Sequence, residues 1–165
     1  MDLSKGTSCV LAIENVQDFP RPPKLGPAGA RLRVVFNGLD IADTQNGLRV
    51  LETHHAPTYY VPPEDVVTSA LVPTVRETFC EFKGRAVYFD LVINGRRARN
   101  AAWSYPAPSN RFAALRDHIA FYAASVQAAF VGQVRVMPQP GDFYGGWVTP
   151  NLTGDIKGAH GTLHW

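Results

Sequence analysis

Cysteine is almost missing from this chain. Its two thiols, Cys9 and Cys80, form no CxxC pair and have no histidine at ligand spacing, which excludes a zinc knuckle and a disulfide framework. Reduced thiols, no metal and no cofactor are expected. Long apolar runs are lacking as well. Nothing approaches the roughly 20 residues of a membrane-spanning helix, and the opening MDLSKGTSCVLAIENVQDFPRPP has no apolar stretch leading to a small-residue cleavage site. A soluble, cytoplasmic chain with no membrane partner is expected. Charge of one sign is scarce: 16 basic and 14 acidic residues leave a formal net charge of +2. That balance is too small for a phosphate-tracking stripe, so nucleic acid is not an expected partner. There is also no GxxxxGK[ST], no GxGxxG at a strand-to-helix turn, no GxSxG and no HExxH, which removes phosphate-loop, dinucleotide, α/β-hydrolase and zincin chemistry.

What is present is a chain of 165 residues with 45% hydrophobic content, enough for one complete core. DFPRPPKLGPAG (residues 18–29) holds too many prolines for a helix interior or a central strand. Residues 1–30 are therefore expected to form a proline-rich arm, residues 31–137 the β domain, and residues 138–165 a glycine-rich extension packed on the domain or on a partner subunit. In RLRVVFNGLDIAD the alternation around Asn37-Gly38 predicts a hairpin of residues 31–36 with 39–42. GLRVLETHH (residues 47–55) predicts another strand. Tyr59, Tyr60 and Val61, bracketed by prolines, suit a sheet edge, and Pro63-Glu64-Asp65-Val66 suits one helical turn. Residues 78–83 and 85–93 read as strands on either side of Gly84, and Asn94-Gly95 turns the chain into residues 96–105. Residues 126–131 and 134–137 read as a last hairpin. Only SNRFAALRDHIAFY has a helical period, with Phe112, Leu115 and Ile119 at three- and four-residue spacing after Ser109 or Asn110 as cap. The fold expected is mainly β, an antiparallel two-sheet sandwich or a partly open barrel, with one short helix.

Candidate chemistry gathers in two groups. Glu52 shares a strand side with Val50 and is expected to point at least partly inward, where a carboxylate must be paired or protonated. Lys83 is its candidate counter-ion, either as a structural pair or in a ligand site. Cys80, three residues before Lys83, is expected on the opposite side of the strand as a small buried group. The second group is aromatic. Trp103 and Tyr105 are two residues apart and so share a strand face, and with Tyr60 each ring brings a polar handle that a pocket could use. His54 and His55 are adjacent, so on a strand they point to opposite faces and do not share an ion. His160 and His164 read as a solvated tail.

The ordered series RVVFNGLDIADT, RVLETHHAPTYYVPPEDV, CEFKGRAVYFD and AAWSYPAPSNRFAALRDHIAFY resembles a bacterial family catalogued as domain of unknown function 427, over residues 31–136. GGWVTPNLTGDIKGAHGTLHW is similar to the C-terminal extension of its longer members. The resemblance implies that the family's recurring residues fall here on Glu52, Tyr60, Cys80, Lys83, Tyr88, Trp103, Tyr105 and Tyr122, among others. A nucleotidyltransferase label is sometimes attached to the family, but this chain lacks the glycine-serine turn and paired aspartates that two-metal nucleotidyl transfer requires. The chain also resembles the β-tent architecture of methionine sulfoxide reductase B and the cereblon ligand-binding domain, without their paired CxxC zinc ligands.

These observations lead to a β module that binds an unknown small molecule, with Trp103, Tyr105 and Tyr60 as walls and Glu52 with Lys83 as the orienting pair. An enzyme using Lys83 or Cys80 at the same place is the alternative, its catalytic residues unknown. A third reading is a structural or oligomerisation domain, a homo-oligomer whose tail buries Trp147 and Trp165 against a sister subunit.

Overall fold

The computed structural model describes residues 11–141 and 143–162. Cys9, His164 and Trp165 lie outside the described residues. The chain is mainly β and built of several antiparallel sheets.

Strand β1 (Glu14–Asn15) leads into a single 3-10 turn, where the Asn15 side chain accepts a hydrogen bond from the Gln17 N–H at 2.9 Å. The proline-rich segment is in part built into the domain. Its second half, β2 (Lys24–Pro27), joins a sheet as an edge strand, the position where proline's missing donor is tolerated. Next come β3 (Leu32–Phe36) and β4 (Leu39–Thr44), joined at Asn37 (φ 49°) and Gly38 (φ 77°). Two successive positive φ values define the tight turn that an Asn-Gly pair favours. Strands β5 (Leu48–Leu51) and β6 (Thr58–Tyr60) complete a three-stranded sheet with β2.

The longest ladder follows: β7 (Leu71–Cys80), β8 (Gly84–Ile93) and β9 (Arg96–Ser104). Strand β7 begins seven residues earlier than the alternation predicts. It is an edge, carrying Pro73 and a register shift between Pro73 and Glu77, and such irregular edges weaken the alternation signal. The short strands β10 (Ala120–Phe121), β11 (Ala128–Val131), β12 (Val134–Arg135), β13 (Met137–Pro138), β14 (Trp147–Val148) and β15 (Leu152–Thr153) finish the chain. They build the four-stranded sheets β10-β9-β8-β7 and β12-β11-β3-β4, and the pairs β13-β14 and β1-β15. Among these strand pairs of the described residues, only β1-β15 is parallel.

The segment expected to be a helix is instead a kinked 3-10 stretch, Asn110–Leu115, with Phe112 at φ −112°, ψ 21°. Ile119 and Val61 exchange backbone hydrogen bonds at 2.8 Å, so the chain is already extended at the third position of the supposed period. Phe112, Leu115, Ile119 and Phe121 are all buried, but along a chain that winds across the sheets rather than along one helix. The Ser109 hydroxyl makes no cap. It donates to the Phe82 carbonyl at 2.7 Å.

Packing divides the interior in two. One core gathers Leu32, Val34, Ile41, Tyr59, Val61, Leu91, Phe121 and Trp147; the other gathers Val50, Tyr60, Tyr88, Trp103, Tyr105, Phe112 and Leu115. Neighbours on one strand, Tyr59 and Tyr60, thus serve different cores, as strand alternation requires. Trp147 is 1% exposed, and its indole N–H donates to the Phe121 carbonyl at 2.9 Å. Its burial is completed within its own chain. Among the described residues no helix is long and apolar enough to cross a membrane.

Candidate functional site

The second core does not close completely. Between the β7 to β10 sheet and the β5-β6 hairpin lies a cavity of about 350 Å³, lined among others by Glu52, Tyr60, Lys83, Trp103 and Tyr105. All five side chains singled out in the sequence therefore face one space. That volume falls at the lower end of the range of small-molecule pockets.

Strand register assembles the aromatic wall. Tyr88 on β8 lies opposite Trp103 on β9, so both rings emerge on one face, with centroids 6.4 Å apart. Tyr105, two residues on, shares that face and meets Tyr60 at 6.4 Å. Tyr122, just beyond β10, packs on Trp103 at 4.5 Å. A Cβ on Gly145 would fall inside the contact radius of the Trp103 ring, so the C-terminal segment reaches the ring only because that residue is glycine. Burial pushes the Tyr60 hydroxyl well above the ordinary phenol range, and burial likewise raises Tyr105 and Tyr122. These hydroxyls remain protonated at neutral pH; that of Tyr122 donates to the Phe143 carbonyl at 3.0 Å, and Tyr60 and Tyr105 hydrogen-bond each other.

The hairpin turn between β7 and β8 overturns one expectation. Strand β7 ends at Cys80, and the turn through Glu81, Phe82 and Lys83 breaks the alternation, so Cys80 and Lys83 line the same cavity rather than opposite sides. The Ser109 N–H donates to the Lys83 carbonyl at 3.0 Å and fixes the turn against the neighbouring loop. Lys83 is not the partner of Glu52. The Glu52 carboxylate, whose side chain is 20% exposed, lies 3.8 Å from the Arg21 guanidinium, a long and partly solvated pair of small energetic weight. The Lys83 ammonium instead lies 6.0 Å from the Tyr105 ring centroid and 5.9 Å from that of Phe112.

His55 is the residue the sequence concealed. A turn with His54 at φ 66° and the His55 N–H donating to the Glu52 carbonyl at 3.0 Å swings its ring into the cavity, where strand alternation does not apply. Its Nδ1 lies 3.0 Å from the Thr53 carbonyl. Nδ1 is therefore the protonated nitrogen and Nε2 the basic one. Burial lowers the imidazole pKa, the Glu52 charge and the Thr53 hydrogen bond oppose that shift, and Lys157 and Lys83 reinforce it.

Segments far away in sequence complete the wall. Gln139, 2% exposed, accepts from the Ala56 N–H at 3.2 Å and donates to the Lys157 carbonyl at 2.9 Å. It thereby locks the C-terminal segment onto the turn after β5. Tyr144 meets the His55 ring edge-on at 5.3 Å. No periodicity links such residues to β5 or β9, so only their positions in the fold reveal them. Among the described residues no group of three or more His, Cys, Asp or Glu side chains is placed to hold a metal ion.

Comparison with known proteins adds one assignment. A family model described as domain of unknown function DUF427 matches residues 24–132. No curated protein matches the chain.

Proposed function

The chain belongs to the DUF427 family, and from that premise and the geometry of the cavity we propose that it binds a small, flat organic molecule against Trp103, Tyr105 and Tyr60. One observation carries this reading: Glu52, Tyr60, Lys83, Trp103 and Tyr105, contributed by separate strands and turns, line a single cavity. Ring faces supply apolar area and protonated hydroxyls supply orientation, the usual division of labour in such pockets. Glu52 and Lys83 act from separate positions at the mouth rather than as an ion pair. A crystal structure of protein purified without stripping tests the proposal. Residual density between these five side chains supports it, and a collapsed, dry interior there overturns it.

A second reading, an enzyme at the same place, draws on the shared lining by Cys80, Lys83 and His55. The Cys80 thiol is the nucleophile to test and the His55 Nε2 the base. Alkylation of the folded protein by iodoacetamide discriminates: modification of Cys80 only after unfolding removes the thiol from consideration.

A further inference from the structure

Resting on that reading, we infer that the cavity selects a flat molecule bearing an anionic group, an aromatic carboxylate, which the Lys83 and Lys157 ammonium groups hold at the mouth. Every ion pair found within 4.0 Å among the described residues is made by an arginine. Lys83 and Lys157 line the cavity and take part in none of them. Ring faces position both instead: Tyr105 and Phe112 for Lys83, and Tyr144, at 5.5 Å from its centroid, for Lys157. A ring face holds an ammonium group without neutralising it.

The carboxylates that line the cavity, Glu52 and Glu81, are outnumbered by Arg21, Lys83 and Lys157. Glu52 lies against Arg21, and Glu81 is exposed. Both lysines also act on His55, disfavouring its protonation against the opposing Glu52 charge, so both ammonium charges are felt inside the cavity. Beyond the mouth the walls are rings and protonated hydroxyls. An aromatic carboxylate matches both zones, its ring among Trp103, Tyr60 and Tyr105 and its oxygens between the two ammonium groups.

Lys157 also lies outside the span matched by the family model. Of the cations that line the cavity, Lys83 thus lies within that span and Arg21 and Lys157 outside it. The Lys157 backbone is held independently of its side chain, its N–H donating to the His54 carbonyl at 2.6 Å and its carbonyl accepting from Gln139. Substitutions at its side chain therefore leave the loop in place.

The test is binding of matched pairs, benzoate with benzamide, nicotinate with nicotinamide, and indole-3-carboxylate with its carboxamide, followed by calorimetry and ligand-observed NMR on the full chain at low salt. The expected result is that at least one carboxylate binds about tenfold or more tightly than its amide. Lys157→Gln and Lys83→Gln should each remove about that factor for the carboxylate and leave the amide unchanged, Lys157→Arg should retain it, and added salt should reduce it. Melting temperatures equal to wild type show that the variants fold. Amides binding as tightly as carboxylates would overturn the anion inference while leaving the pocket reading intact. Failure of every member of all three pairs to bind overturns the aromatic-carboxylate inference, and the residual-density experiment then decides the pocket reading separately.

Discussion

His55 combines a basic Nε2, a fixed tautomer and a lowered pKa in the cavity wall. A base whose folded pKa is depressed favours the folded state while neutral. Its contribution is therefore fully present above the ordinary value of 6.5 and is lost as pH falls through it toward the lowered folded value. The expected outcome is that wild type loses stability relative to His55→Gln between about pH 7 and pH 5, read from urea midpoints across that range. Gly145 makes a second point at this scale. Gly145→Ala should displace the Trp103 ring, shift its fluorescence and cost about 1–3 kcal/mol, as overpacking generally does; an unchanged spectrum and melting temperature would show that the segment yields instead. Residue by residue, what could be read from the sequence followed strand alternation. Trp103 and Tyr105 share a face because they are two apart. His55 and Cys80 escape that rule because a positive φ and a hairpin turn intervene, and neither leaves a periodic trace.

At the scale of elements, hairpins with Asn-Gly turns were the most legible, since two residues with positive φ admit little else. The supposed helix was the least legible. Burial at three- and four-residue spacing arises equally when a winding segment drops successive side chains into two cores. The C-terminal extension could not be placed from sequence, as its strands are two residues long and its anchors are tertiary. Trp147 is the anchor that matters most. Trp147→Ala should cost about 3–5 kcal/mol, the usual range for a large buried ring, measured by denaturant unfolding. A loss below 1 kcal/mol would mean that the extension contributes little to holding the domain together.

Across the whole molecule, the composition bounded the class and the alternation gave the antiparallel, mainly β architecture, while the division into two cores on either side of one sheet emerged only from the structure. That division concentrates phenols inside. Burial raises the pKa of Tyr59, Tyr60, Tyr105 and Tyr122, four of the chain's six tyrosines. A group whose folded pKa is raised contributes stability that is present below its ordinary value of 10.0 and lost as pH rises beyond it. Phenolate absorbance should therefore grow in a cooperative step together with the loss of circular dichroism above that pH. Gradual ionisation of all six with the fold intact would contradict the burial described here.

The cavity wall reaches from Arg21 to Lys157, nearly the whole length of the polypeptide, with the turn after β5 and the loop after β13 joined through Gln139 and the His55–Tyr144 ring contact. No fragment much shorter than the chain contains that wall. Its occupancy is consequently a property of the completed native state alone, and any molecule that fits acts by mass action as a folding ligand, adding about 2.7 kcal/mol of apparent stability at a hundredfold excess over its Kd.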